Sequence, residues 1–214
     1  MSLSITAAAW APSSGLREDA DIKMNRQLRR QQKKKRRQKS SGPGSGSTLQ
    51  RAIEDLRAGN AAKALESAIA VLVKTGREDA TELACLAASE MGSPETVLNA
   101  YSRLVSLFPT NPSILNDYGL ACLLGQNVEK AESILQRALK LRPDDIHIMS
   151  NLGQALLRQE EYHKAEVQFR QAIKVSPKFA GGFSGLGTAL EKQAKSDEAI
   201  KNYRQAYRLA PKNI

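Results

Sequence analysis

Small and large apolar residues recur in a fixed order through the second half of the chain. In NLGQALLRQEEYHKAEVQFRQAIKVSP, residues 151–177, Leu152 and Leu156 stand four apart, as do Ala165 and Phe169, with polar residues between them. That spacing places each pair on one face of a helix. It predicts a first helix over about residues 146–159 and a second over about 162–175, divided by a polar turn. Gly153 and Ala165 are small enough to let the two helices approach, and Pro177 stops the second one.

The same text returns at a constant interval. Prolines stand at Pro109, Pro143, Pro177 and Pro211, each 34 residues after the last. With the proline at the thirty-second place of a unit, units begin at Glu78, Pro112, Ile146 and Ala180. The eighth place is then Cys85, Gly119, Gly153 and Gly187, and the twentieth is Val97, Ala131, Ala165 and Ala199. The twenty-fourth is Tyr101, Leu135, Phe169 and Tyr203. Two helices bury too little surface to stand alone, so such units must stack on their neighbours.

These places in register resemble the tetratricopeptide repeat, strongly in the last three units and more loosely in the unit from Glu78. GNAAKALESAIAVL, with Ala64, Ala68 and Val71, is similar to the second helix of a further degenerate unit. The resemblance implies an all-α, right-handed α-solenoid of helix-turn-helix repeats. Its expected divisions are 1–47 as a disordered basic arm and linker, 48–77 as a degenerate helix pair, 78–111 as a degenerate repeat, and repeats at 112–145, 146–179 and 180–213.

Charge separates the arm from the rest. The first 48 residues hold 11 Lys or Arg against 3 Asp or Glu, a net +8, leaving 21 against 19 for the remainder. Nine of the cations crowd MNRQLRRQQKKKRRQK: Arg26, Arg29, Arg30, Lys33, Lys34, Lys35, Arg36, Arg37 and Lys39. SSGPGSGS follows as a flexible linker. Nine cations could engage the phosphates of a nucleic acid or an anionic membrane surface. No aromatic residue interleaves them, which disfavours single-strand stacking. A solubilising tail is the plain alternative. KKKRRQK would also read as a nuclear signal in a eukaryote, and a cytoplasmic protein is expected otherwise. Met24 offers an alternative start.

Catalytic chemistry is hard to find. His147 and His163 sit in no metal-ligand motif, and Cys85 and Cys122 have the character of buried thiols in a reducing compartment. GGFSGLG, residues 181–187, has glycines but falls where a first helix belongs, with no strand before it to make a phosphate loop. Glu160-Glu161 and Asp144-Asp145 suit the positive ends of the helices they precede. No apolar run approaches the roughly 20 residues of a membrane span. The expectation is a protein that is not an enzyme, with no catalytic residues, cofactor or metal.

In the family resembled, first helices line a concave groove. Mapping the family's contact places onto this chain implies partner-binding residues Asn116, Asp117, Leu120, His147, Asn151, Gln154, Arg158, Thr188, Glu191 and Lys192, with Leu123 and Leu124 at further groove places. A clamp for C-terminal carboxylates is excluded, because the fifth places are Glu82, Asn116, Ser150 and Ser184 rather than a basic set. An asparagine ladder is represented by Asn151 alone. The expected role is an adaptor holding a peptide or partner protein in the groove. One alternative is the front of a larger sulfotransferase or glycosyltransferase, since MNRQLRR resembles the openings of bacterial repeat-containing transferases. Another is a nucleic-acid-associated protein acting through the arm. With no capping helix after Pro211, Tyr203, Ala206 and Tyr207 would sit on an uncovered end open to self-association.

Overall fold

The computed structural model describes residues 45–211, with side chains from Thr48 onward. Ten helices fill this stretch: α1 (Ser45–Arg57), α2 (Ala61–Thr75), α3 (Glu78–Ser89), α4 (Pro94–Leu107), α5 (Pro112–Leu124), α6 (Val128–Leu141), α7 (Ile146–Arg158), α8 (Tyr162–Val175), α9 (Ala180–Lys192) and α10 (Ser196–Leu209). There is no strand among the described residues. The basic arm, including Arg26 to Lys39, lies outside them.

Helix ends follow from local chemistry. Asn111 and Asp145 each accept two backbone N–H bonds at the starts of α5 and α7, and Ser93 and Asn127 accept one each for α4 and α6. These acceptors satisfy donors that have no partner within the helix. The periodic prolines act at the other end. Each of α4, α6, α8 and α10 stops two residues before one, with Phe108, Arg142, Ser176 or Ala210 between. Those four residues have φ near −131 to −144°. A residue before proline is driven out of the helical region, so the chain turns there.

Packing makes the array. α5 packs on α6, α7 on α8, and α9 on α10, and each second helix also packs on the next first helix. The approach is close because the first helix is bare at one point. A Cβ on Gly119 would lie 2.5 Å from Leu135 Cγ, one on Gly153 2.6 Å from Phe169 Cζ, and one on Gly187 2.7 Å from Tyr203. Ala131, Ala165 and Ala199, on the facing helices, are all buried.

The α3–α4 pair is built differently. α3 packs closely on α2 but only thinly on α4. Here Cys85 and Val97 stand where the later pairs have glycine and alanine, and the larger side chains hold the helices apart. Tyr101 spans the gap by donating its hydroxyl to the Cys85 carbonyl at 2.9 Å. Its ring stacks on Tyr118 of α5, centroids 6.3 Å apart.

The first helices α3, α5, α7 and α9 touch one another in succession, whereas α4, α6, α8 and α10 make no comparable contact among themselves. The layer of first helices is therefore the tighter one, on the inside of the curve.

Candidate functional site

On the inner layer, α5 and α7 bring several of the expected residues together. Asn151 Nδ2 donates to Asn116 Oδ1 at 2.9 Å, and Asn116 Nδ2 donates to Asp117 Oδ1 at 3.1 Å. Three and seven residues beyond Asp117, one and two turns along the same face, Leu120 and Leu124 are 36% and 52% exposed. Across from them on α7, Gln154 is exposed and Leu157 half-buried. The result is one surface of amides and aliphatic side chains with a carboxylate at its α3 side.

That carboxylate is unusual in its surroundings. Burial pushes the Asp117 carboxyl up from the ordinary aspartate value, and contacts from the Cys85 thiol and the Asn116 amide offset this only in part. Burial likewise raises Cys85 and Tyr101 well above their usual values, with the nearby Asp117 adding to both. A group whose folded value is raised binds its proton more tightly folded than unfolded. Its contribution to stability is fully present below pH 3.8, the ordinary aspartate value, and is lost as pH rises through the raised one. Asp117→Asn is therefore expected to raise the melting temperature at pH 7, and to raise it less at pH 4. Parallel thermal melts at the two pH values check this; a variant less stable than the parent at neutral pH would contradict it.

Other expected groove residues are already engaged. Arg158 donates to the Leu123 carbonyl at the end of α5, joining α7 to α5. Thr188 and Glu191 both meet Tyr203: its hydroxyl donates to Glu191 Oε2 at 2.7 Å and lies 3.1 Å from Thr188 Oγ1. His147 is exposed and sets its ring edge-on to Phe179 at 5.7 Å. Lys192 is turned toward a cleft at the α7–α8 and α9–α10 turns, away from Asn151 and its neighbours. Leu123, a further expected groove position, is instead buried at 3% exposure, and Leu124 takes the open face.

Comparison with known proteins agrees with this architecture. Two family models described as tetratricopeptide repeat match residues 111–178 and 150–214. Residues 111–214 are tetratricopeptide repeats. The fold of the chain is that of a protein–protein interaction scaffold, a right-handed α-solenoid. Among solved structures it is similar to MamA, with a TM-score of 0.61 at 21% identity over 75% of this chain and 95% of that one. It is also similar to MamA residues 41–end from Desulfovibrio magneticus RS-1, with a TM-score of 0.64 at 15% identity over 81% and 99% of the two chains. A thermophilic tetratricopeptide-repeat protein of Thermus thermophilus matches with a TM-score of 0.58 at 19% identity, over 79% and 93%. Comparison with curated proteins returns no match.

One group in the tetratricopeptide array escaped sequence reasoning. Glu166 of α8 is only 5% exposed, yet charged partners surround it. It accepts from Gln193 Nε2 at 2.7 Å and Lys195 Nζ at 3.2 Å, and it pairs with Arg170. Burial opposes its ionisation, but the Gln193 and Lys195 hydrogen bonds and the two cations outweigh that and leave the carboxyl below its usual value. The signal was present in Arg170, four residues on, and in the position of Glu166 beside the core residue Ala165. Its task is structural, tying α8 to the α9–α10 turn. The nearby cleft of about 380 Å³ is lined by residues of both charge signs, among them Glu160, His163, Lys192 and Lys195. No group of three or more His, Cys, Asp and Glu among the described residues could hold a metal ion.

Proposed function

We propose that this protein is a non-enzymatic adaptor that holds an extended segment of a partner protein on the α5–α7 face. The arm of nine cations would serve as a second attachment for polyanions. The observation that carries the reading is the union of Asn116, Asn151 and Gln154 with Leu120 and Leu124 on one inner surface. Side-chain amides can both donate to and accept from any peptide backbone, and half-exposed leucines supply apolar contact. Gln154 has no hydrogen-bond partner among the described residues, so its amide is free for a visitor. No helix among the described residues is long and apolar enough to cross a membrane.

A photo-crosslinking residue placed at Gln154 of the full chain tests the reading. Crosslinks are expected to fall on one contiguous stretch of a partner. They should persist after removal of residues 1–47 and drop about tenfold or more with Asn151→Ala combined with Leu120→Ala. Crosslinks that vanish with the arm and ignore both substitutions would overturn it, and would move the function to polyanion binding. Binding through the arm alone would weaken steeply with salt, because each neutralised phosphate releases counterions.

A further inference from the structure

The α5–α7 face has an unbalanced charge at one corner. Asp117 stands where α5 meets α3, half-buried, and what acts on its carboxylate is burial, the Cys85 thiol and the Asn116 amide. None of these is a cation. Arg158 on α7 is spent on a carbonyl, and Lys130 on α6 lies over the Tyr118 ring at 5.0 Å. Glu82 on α3 is a further acid whose field reaches the same Cys85.

A carboxylate drawn partly out of water without a counter-charge is costly to keep. The hydrogen bonds it makes do not require the charge. An asparagine in its place keeps a carbonyl oxygen that can accept from Asn116 or Cys85. What aspartate alone supplies is a negative charge that has already lost part of its hydration, next to the exposed side chains of Leu120 and Leu124. Opposite charges attract several-fold more strongly in such a setting than in bulk water.

We propose that the segment held on the α5–α7 face presents a cationic side chain, Lys or Arg, against Asp117, with a neighbouring apolar residue on Leu120 and Leu124. This rests on the adaptor reading and names the chemistry its occupant must carry. The asymmetry of the corner gives the segment a fixed direction: its cation lies toward α3, and its backbone runs past the Asn116–Asn151 pair onto α7.

Random 12-residue peptides displayed on phage and selected in parallel on the full chain and on its Asp117→Asn variant test this. Enriched sequences are remade as fluorescent peptides, each with a twin in which Lys or Arg becomes Gln, and measured by anisotropy. Selection on the unaltered chain is expected to enrich Lys or Arg beside Leu, Ile or Phe. The Gln twins should bind about tenfold or more weakly to it, and as well as the parent peptides to Asp117→Asn. The twin comparison on the unaltered chain stands even if the variant folds poorly. Acidic peptides captured by the arm are recognised by an affinity that Asp117→Asn leaves unchanged. Uncharged peptides that bind with full affinity and respond to Asn151→Ala would overturn the cation anchor and leave the adaptor reading intact. If no peptide responds to Asn151→Ala or Leu120→Ala, both fall together.

Discussion

Cutting Phe169 back to alanine is expected to remove about 3–5 kcal/mol of stability, a large part of the roughly 5–15 kcal/mol a domain possesses. The ring is fully buried, at 0% exposure. It lies against two glycines at once, Gly153 of its own helix pair and Gly185 of the next. Neither has a side chain that could swing into the vacated space, so the cavity cannot collapse by rotamer change. Urea melts of parent and variant should show the midpoint fall while the slope stays constant. A loss below about 1 kcal/mol, less than a large-to-small core substitution normally costs, would mean that the ring is not the shared wedge described above.

Gly185→Ala probes the same contact from the other side, with two effects opposed. Alanine is the better helix former by about 1 kcal/mol. Against this, a Cβ at Gly185 would sit inside 3.0 Å of three atoms of the Phe169 ring, which cannot move without displacing Gly153. Overpacking of this kind costs about 1–3 kcal/mol, so the clash should win and the variant should melt earlier. Gly125→Ala is the control: its Cβ would meet a methyl of Leu98 at 3.2 Å and nothing closer, and little change is expected. Combining Gly185→Ala with Phe169→Leu should lose less than the sum of the two single losses. Strict additivity would show that the two positions do not touch.

The parts of the molecule written locally were readable in advance. The 34-residue recurrence of proline and the apolar pairs four apart anticipated α7 and α8 to within a residue. Contacts between units were not readable. The crowding of glycine in 181–187 has mixed causes: Gly181 and Gly182 lie against Phe179 just before them and Gly187 against Tyr203 of its own unit, but Gly185 is small because Phe169 arrives from the preceding unit, sixteen residues earlier. The turns inside the repeats hide a similar constraint. Gly92, Gln126, Glu160 and Ala194 occupy equivalent places, all with φ between +60 and +87°, yet only the glycine advertises it.

At the candidate site the family's contact places put Asn116, Asp117, Leu120, Asn151 and Gln154 on the first helices α5 and α7, and the structure joins Asn151 to Asn116 and Asn116 to Asp117. The repeat register could not show that Tyr203 would engage Thr188 and Glu191, or that Arg158 would turn to a carbonyl. Nor could it show that Asp117 would meet Cys85 across a helix boundary. Each of those depends on where a neighbouring helix places its own polar groups.

The Asn151-to-Asn116 bond joins side chains of two successive units rather than one. Whatever settles over it therefore bridges a seam in a stack where each unit leans only on its immediate neighbours. Occupancy would work as a splint, stiffening the array at its midpoint and limiting how far the two halves can bend.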